Sequence, residues 1–228
     1  MGVSFSARGV LRGAVEAAPL AAFVVPFGIA FGAAATANAM APEISLAMSV
    51  TMFAGVSQFA ILGLWHAPLP LAMLALTVFA VNARHILLGA TLGPWLLQVS
   101  LLQRIAALAF MTDANFALTM SARQRGEADV GMLLGSGLAT WIGWIFGTLI
   151  GSMGGALLGD VSRVGIDAVM LVYFVAVIVG QWKSQLDWVP WICAGLAALI
   201  ASRLLPPGWH TIVGAVAGGI AGAWQNDR

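Results

Sequence analysis

Residues 71–94 read LAMLALTVFAVNARHILLGATLGP, an apolar run with Asn82, Arg84 and His85 set together near its middle. A transmembrane helix needs about 20 apolar residues to cross a hydrocarbon core about 30 Å thick. The run extends further on both sides, and one helix over 67–99 would be about 50 Å long and could not lie straight in a bilayer. A break is therefore expected between Asn82 and Gly93, with 86–99 forming either a re-entrant or interfacial piece or a short span of its own. On an unbroken helix Asn82 and His85 would share a face and Arg84 would point away from both. Irregular backbone at membrane depth survives only where protein or a water-filled cavity covers it, so a break would let all three residues line one cavity.

The rest of the chain agrees with a membrane setting. Of its 228 residues 61% are hydrophobic and 8% charged, whereas a soluble domain carries about 25% charged residues. The fold class this implies is an all-α polytopic membrane protein of about seven or eight transmembrane helices, at least one of them broken or re-entrant. Candidate spans are 17–37, 44–65, 68–84, 104–122, 131–156, 166–182, 188–204 and 209–224, all within one transmembrane transporter domain over 1–228. The first apolar stretch ends in Ala37-Asn38-Ala39, which resembles a signal-peptide site, but its length and its Pro19, Pro26, Gly28 and Gly32 fit an uncleaved first span. With eight crossings, Arg8, Arg12, Arg123, Arg125, Lys183 and Arg228 would share the cytoplasmic side against Arg104, Arg163 and Arg203, placing the N-terminus inside. Trp65, Trp95, Trp182, Trp188, Trp191, Trp209 and Trp224 fall near span ends, where an aromatic belt anchors helices. A net charge of +1 without a basic cluster excludes a nucleic-acid partner. Cys193, the single cysteine, can form no internal disulfide.

An internal echo recurs at an offset of 115 residues, with Gly28-x-x-Phe31-Gly32 matching Gly143-x-x-Phe146-Gly147. It reads either as a repeat of four spans and four spans, with halves 1–122 and 123–228, or as small-residue stripes that let helices approach closely. Gly143, Gly147 and Gly151 have the four-residue spacing of such a stripe, as do Gly214, Gly218 and Gly222.

Polar residues at depth are the candidates for function, because burying them in lipid is costly. Gln58 lies near the middle of its span, Asn82, Arg84 and His85 at the expected break, and Asp113 with Asn115 almost midway between Arg104 and Arg123. An intramembrane carboxylate needs a partner, and Arg84 is the natural one for Asp113. Such a pair either fixes two helices together or marks a substrate pathway. His85 is a proton-carrier candidate if a wet cavity reaches it, since its ordinary pKa is about 6.5; otherwise it is a core histidine bonded to a carbonyl. In the first span, Pro26 followed by Gly28 and Gly32 reads either as a broken helix offering N–H groups to a carboxylate and carbonyls to an ammonium, or as a packing kink without a ligand. The rest are alternatives in packing: Trp141 and Trp144, one turn apart, read as either a cavity wall or ordinary core.

Four segments together resemble the AzlC family of branched-chain amino acid permeases. They are Pro19-x₆-Pro26-Phe27-Gly28-x-x-Phe31-Gly32, Ser49-x-x-x-Phe53-Ala54-Gly55-x-Ser57-Gln58-Phe59, Asn82-x-Arg84-His85-x-Leu87-x-Gly89-x-x-Leu92-x-Pro94 and Thr112-Asp113-x-x-Phe116-Ala117, within about residues 9–120. Ala114 stands where the family often has a second acidic residue. The resemblance implies an exporter of branched-chain amino acids in the bacterial inner membrane, paired with a small AzlD-like membrane protein. With it comes a binding-site expectation. Arg84 would hold the substrate carboxylate and Asp113 the ammonium, Gln58 and Asn82 would orient the polar end, and Phe31, Phe59 and Phe116 would cover the side chain. Asp113 and His85 are the proton-coupling candidates. No cofactor or metal is expected, and the chain has no G-x-x-x-x-G-K-[ST] pattern for using ATP. Two other classes stay open: a channel or structural subunit of a membrane complex, and an intramembrane enzyme built on His85 and Asp113. The enzyme lacks an HExxH motif, and its other histidines, His66 and His210, lie at span ends.

Overall fold

The structure is a computed structural model describing residues 3–158, 175, 188–205 and 209–226. The described elements are helices: α1 (Ala7–Glu16), α2 (Ala18–Ala37), α3 (Pro42–Thr51), α4 (Gly55–Leu62), α5 (Leu71–Asn82), α6 (Arg84–Leu96), α7 (Leu101–Ala109), α8 (Asp113–Gln124), α9 (Gly131–Leu158), α10 (Trp188–Leu204) and α11 (Trp209–Asn226). The chain divides into two compact units, one of Met1–Gly55 with Arg84–Ile166, the other of Val56–Ala83 with Asp167–Arg228.

In the first unit α9 is the central helix, packed by α1, α2, α3, α7 and α8. Its close contact with α2 rests on missing side chains. A Cβ on Gly28 would stand 2.6 Å from the Trp144 carbonyl oxygen, and one on Gly147 would stand 3.0 Å from the Gly28 Cα. Gly32 and Gly151 repeat the arrangement a turn later against the backbones of Thr148 and Ile29. Phe31 is fully buried there and stacks on Trp144, with ring centroids 6.0 Å apart. Against α3 the contact is polar: the hydroxyls of Ser45 and Ser152 lie 2.9 Å apart, and those of Ser49 and Thr148 also 2.9 Å. All four residues are buried. Thr148 and Ser152 bond as well to the carbonyls of Trp144 and Thr148, so these hydroxyls are met without water.

The opposite end of α9 is tied by charge. Asp129, just before it, accepts hydrogen bonds from the backbone N–H and hydroxyl of Ser6 and from the N–H of Gly131. Ser6 in turn caps α1 by accepting from the Gly9 N–H at 3.0 Å. Arg12 pairs with Glu16 and Glu127, and Arg125 with Glu16 at 3.1 Å. The hydrogen bond to Glu16, then the charge of Glu127, hold the Arg12 guanidinium above its ordinary pKa. Gly126, at φ +92°, turns the chain out of α8 where a residue with a Cβ would be strained. Leu92, Trp95, Leu96, Val99, Ala107, Met111, Val130 and Leu133 form an apolar core that joins α6 and α7 to the start of α9.

In the second unit α11 packs against α10 and α5. A Cβ on Gly218 would lie 2.9 Å from the Ala194 Cβ, so small residues set the spacing of α10 and α11 as the glycine stripe suggested. Gln58 and Phe59 are buried on α4, and Thr77 on α5.

The expectation of an all-α polytopic protein with seven or eight spanning helices is corrected by this arrangement. Among the described residues two helices are long and apolar enough to cross a membrane, Ala18–Ala37 and Gly131–Gly154, or three if the bent pair Leu71–Ile86 and Leu88–Leu96 counts as one broken span. Hydropathy reports how apolar a stretch is, not whether its backbone stays helical. The stretch 44–65 is divided by non-helical residues 52–54 between α3 and α4, and 104–122 by residues 110–112 between α7 and α8. α5, at 12 residues, is about 18 Å long, and α10, at 17 residues, about 26 Å, both below the bilayer core thickness. The stretch 166–182 falls outside the described residues, save residue 175. The inside-versus-outside tally of basic residues rested on eight crossings and falls with them. So does the four-plus-four repeat: Gly28, Gly32, Gly147 and Gly151 are facing surfaces of one helix pair. Of the two readings of the first span, the broken helix is absent, for α2 runs unbroken through Pro26.

Candidate functional site

Arg84 and Asp113 come together in the first unit because each begins a helix. α5 ends at Asn82 and α6 starts at Arg84, so the long apolar run does break at the polar residues. Asp113 is placed by a capping box. The Thr112 hydroxyl accepts from the Asn115 N–H at 3.4 Å, and the Asn115 side-chain oxygen accepts from the Thr112 N–H at 2.7 Å. The Asn115 amide nitrogen also donates to the Phe110 carbonyl at 2.9 Å, which holds the break between α7 and α8. A carboxylate in the first turn of α8 is further favoured by the helix dipole.

The Arg84 Nη2 lies 3.0 Å from the Asp113 Oδ2, with the two side chains 27% and 36% exposed. The pair is thus neither sealed nor fully open. The Arg84 Nε, by contrast, is buried and has no hydrogen-bond partner. One and two turns along α6 from Arg84 come Leu88 and Leu92, and along α8 from Asp113 come Phe116 and Met120. Leu92 is part of the buried core, and Leu88, Phe116 and Met120 pack against it half-buried. The result is a charged pair beside an apolar seam, an arrangement able to meet a carboxylate, an ammonium and an aliphatic side chain.

The remaining expected residues are carried by α2, α4, α5 and α6. His85 is half-buried on α6 beside Arg84. Phe31 belongs to the α2 and α9 contact, where it stacks on Trp144. Gln58, Phe59 and Asn82 belong to the second unit, the first two buried and Asn82 half-buried at the end of α5. Trp141 and Trp144 are packing residues: Trp141 donates to the Val50 carbonyl at 3.2 Å and meets Phe110 edge-on, and Trp144 is 2% exposed beneath Gly55. The capping role of Asn115 was missed, although T-x-x-N ahead of an apolar stretch is a readable helix start. The hydroxyl pairs of α3 and α9 leave no such local signal, since their members lie about a hundred residues apart in sequence. Among the described residues, no three His, Cys, Asp or Glu side chains stand where they could hold a metal ion.

Over 119 residues the chain is 33% identical to the inner membrane protein YgaZ of Escherichia coli strain K12, covering 51% of this chain and 49% of that protein. Two proteins of Helicobacter pylori, from strains J99 and 26695 and each described as an uncharacterized membrane protein, are 27% identical over 145 and 143 residues. These stretches cover 63% and 62% of this chain and 62% and 61% of the relatives. The chain therefore matches between about half and three fifths of the length of these curated relatives. No solved structure matches it. The sequence model of the family described as AzlC protein matches residues 19–158, from α2 through both partners of the ion pair to the end of α9. That is more than half of the chain, and the chain belongs to the AzlC family.

Proposed function

We propose that this protein is a secondary exporter of branched-chain or similar small apolar amino acids in the bacterial inner membrane, coupled to protons and working with a small AzlD-like membrane subunit. The observation that carries this reading is the half-exposed Arg84 and Asp113 pair, 3.0 Å apart, in a chain that is 61% hydrophobic. Intramembrane ionisable pairs are costly and concentrate on transport pathways. Family membership supports transport, and the relative named an inner membrane protein supports the location.

In this mechanism Arg84 takes the substrate carboxylate and Asp113 its ammonium, the complementary charges of a zwitterion. Phe116 and Leu88, half-buried beside the pair, offer apolar surface to the side chain, which limits the substrate to modest aliphatic groups. Asp113, and His85 next to Arg84, are the groups through which a proton would exchange with substrate. Phe31, Phe59 and Gln58, expected to contact the substrate, are buried, and Asn82 is half-buried.

Cells loaded with leucine or valine dipeptides provide the test, with the AzlD-like protein co-expressed. Export of the free amino acid should require this chain and fall by about tenfold or more when Arg84→Ala or Asp113→Asn removes a charge-assisted bond. Normal export by both variants at normal expression would remove the pair from the mechanism. Uphill flux in proteoliposomes, collapsing with the proton gradient, is expected; flux that only dissipates a gradient would make the protein a channel.

A further inference from the structure

The buried Nε of Arg84 separates this arginine from others in the fold. Arg104 uses its Nε on the Val99 carbonyl at 2.9 Å and its Nη2 on the Leu97 carbonyl at 3.0 Å. Arg12 gives its Nε to Glu16 at 2.8 Å. Arg84 gives Nη2 to Asp113, yet its Nε is closed off from solvent without an acceptor. A guanidinium has five N–H donors in a rigid planar fork and meets a carboxylate best through two parallel bonds. A buried donor left unmet costs about 1–3 kcal/mol, and that cost is removed when a ligand supplies the acceptor.

We infer that the Nε edge of Arg84 is the docking edge for the substrate carboxylate, so that substrate adds to the Arg84 and Asp113 pair rather than displacing Asp113 from it. This rests on the exporter reading and deepens it. Asp113 keeps one of the two Nη2 hydrogens, which holds the guanidinium plane and leaves a carboxylate beside the ammonium of the incoming molecule, while the other Nη2 hydrogen and Nε–H form the parallel pair for the substrate carboxylate. A further consequence concerns specificity. The ligand must carry a free carboxylate, because an amide presents a single carbonyl oxygen and no charge to the fork. Lysine at this position would keep the positive charge for Asp113 but has no Nε edge, being a point charge on a flexible stem.

The experiment measures binding of radiolabelled L-leucine to the purified full chain with its AzlD-like partner in nanodiscs, with L-leucinamide as competitor. Wild-type protein should bind leucine and be displaced by unlabelled leucine, while leucinamide should compete about tenfold or more weakly. Arg84→Lys should lose leucine binding by a similar factor, as Arg84→Ala does. If Arg84→Lys binds as wild type while Arg84→Ala does not, the cation matters and its Nε edge does not: the inference fails and the exporter reading stands. Competition by leucinamide equal to leucine also overturns the inference, and needs no variant to fold. Wild-type binding of leucine by Arg84→Ala would overturn both.

Discussion

Two helix contacts in the first unit solve opposite problems. Where α2 and α3 meet α9, glycines bring backbones together and buried hydroxyls find partners, Ser45 with Ser152 and Ser49 with Thr148. Where the start of α6 meets the start of α8, a charged pair stands half-exposed above an apolar seam and one buried donor has no acceptor. Only the second of these contacts has a means of changing state. A contact of paired hydroxyls with no room for a methyl has one arrangement, whereas the charged contact, with its Arg84 Nε unmet, has something to gain from a ligand.

The largest loss of stability is expected at the glycines. Gly32→Leu would push a side chain into the backbone of α9, where even a Cβ would come within 2.6 Å of the Ser152 nitrogen. Loss of folded protein in detergent, read by size-exclusion chromatography, is expected; a folded variant with wild-type thermal stability would show that α2 and α9 are not rigidly packed. At the charged contact, Asp113→Asn should leave the protein folded but reduce leucine export by about tenfold or more. The converse result, a protein that unfolds yet exports at its residual expression level, would assign the pair to structure alone.

Smaller effects sharpen the contrast. Thr148→Val removes the hydroxyl that meets both Ser49 and the Trp144 carbonyl and should cost about 1 kcal/mol in denaturant unfolding. In the double variant with Ser49→Ala the two losses should not add, because the two hydroxyls share one bond. Asn115→Ala removes half of the capping box and its bond to Phe110, for about 1 kcal/mol and faster amide exchange in the first turn of α8. Because that turn carries Asp113, export should weaken as well. Arg125→Gln, at an exposed pair with Glu16, should leave the melting temperature unchanged at physiological salt.

Some of this was legible in the residues. An apolar run too long for one crossing, with Asn82, Arg84 and His85 inside it, had to break there, and a carboxylate at Asp113 in apolar surroundings had to find a cation. Those inferences needed only helix rise, bilayer thickness and the cost of an unpaired charge, all local or pairwise quantities. The NxRHxL and TDxxF segments likewise pointed to the AzlC family, whose match reaches through residue 158.

The number of spans was not legible in the same way. Apolar composition is shared by a helix that crosses lipid and by short helices that cover one another, and residues 52–54 or 110–112 carry no charge that would announce a break. Pro26 left two readings open in the sequence, and only the structure shows that α2 carries it without a break, held against α9 by glycines on both helices. By itself the sequence determined an apolar helical chain, the place of one break and the two charges that pair. Tertiary structure alone decided which apolar stretches remain whole, that the glycine echo is an interface, and that Arg84 keeps a buried donor unmet. Continuity of backbone and satisfaction of buried polar groups depend on what lies across the contact, and the residues across it are about a hundred positions away.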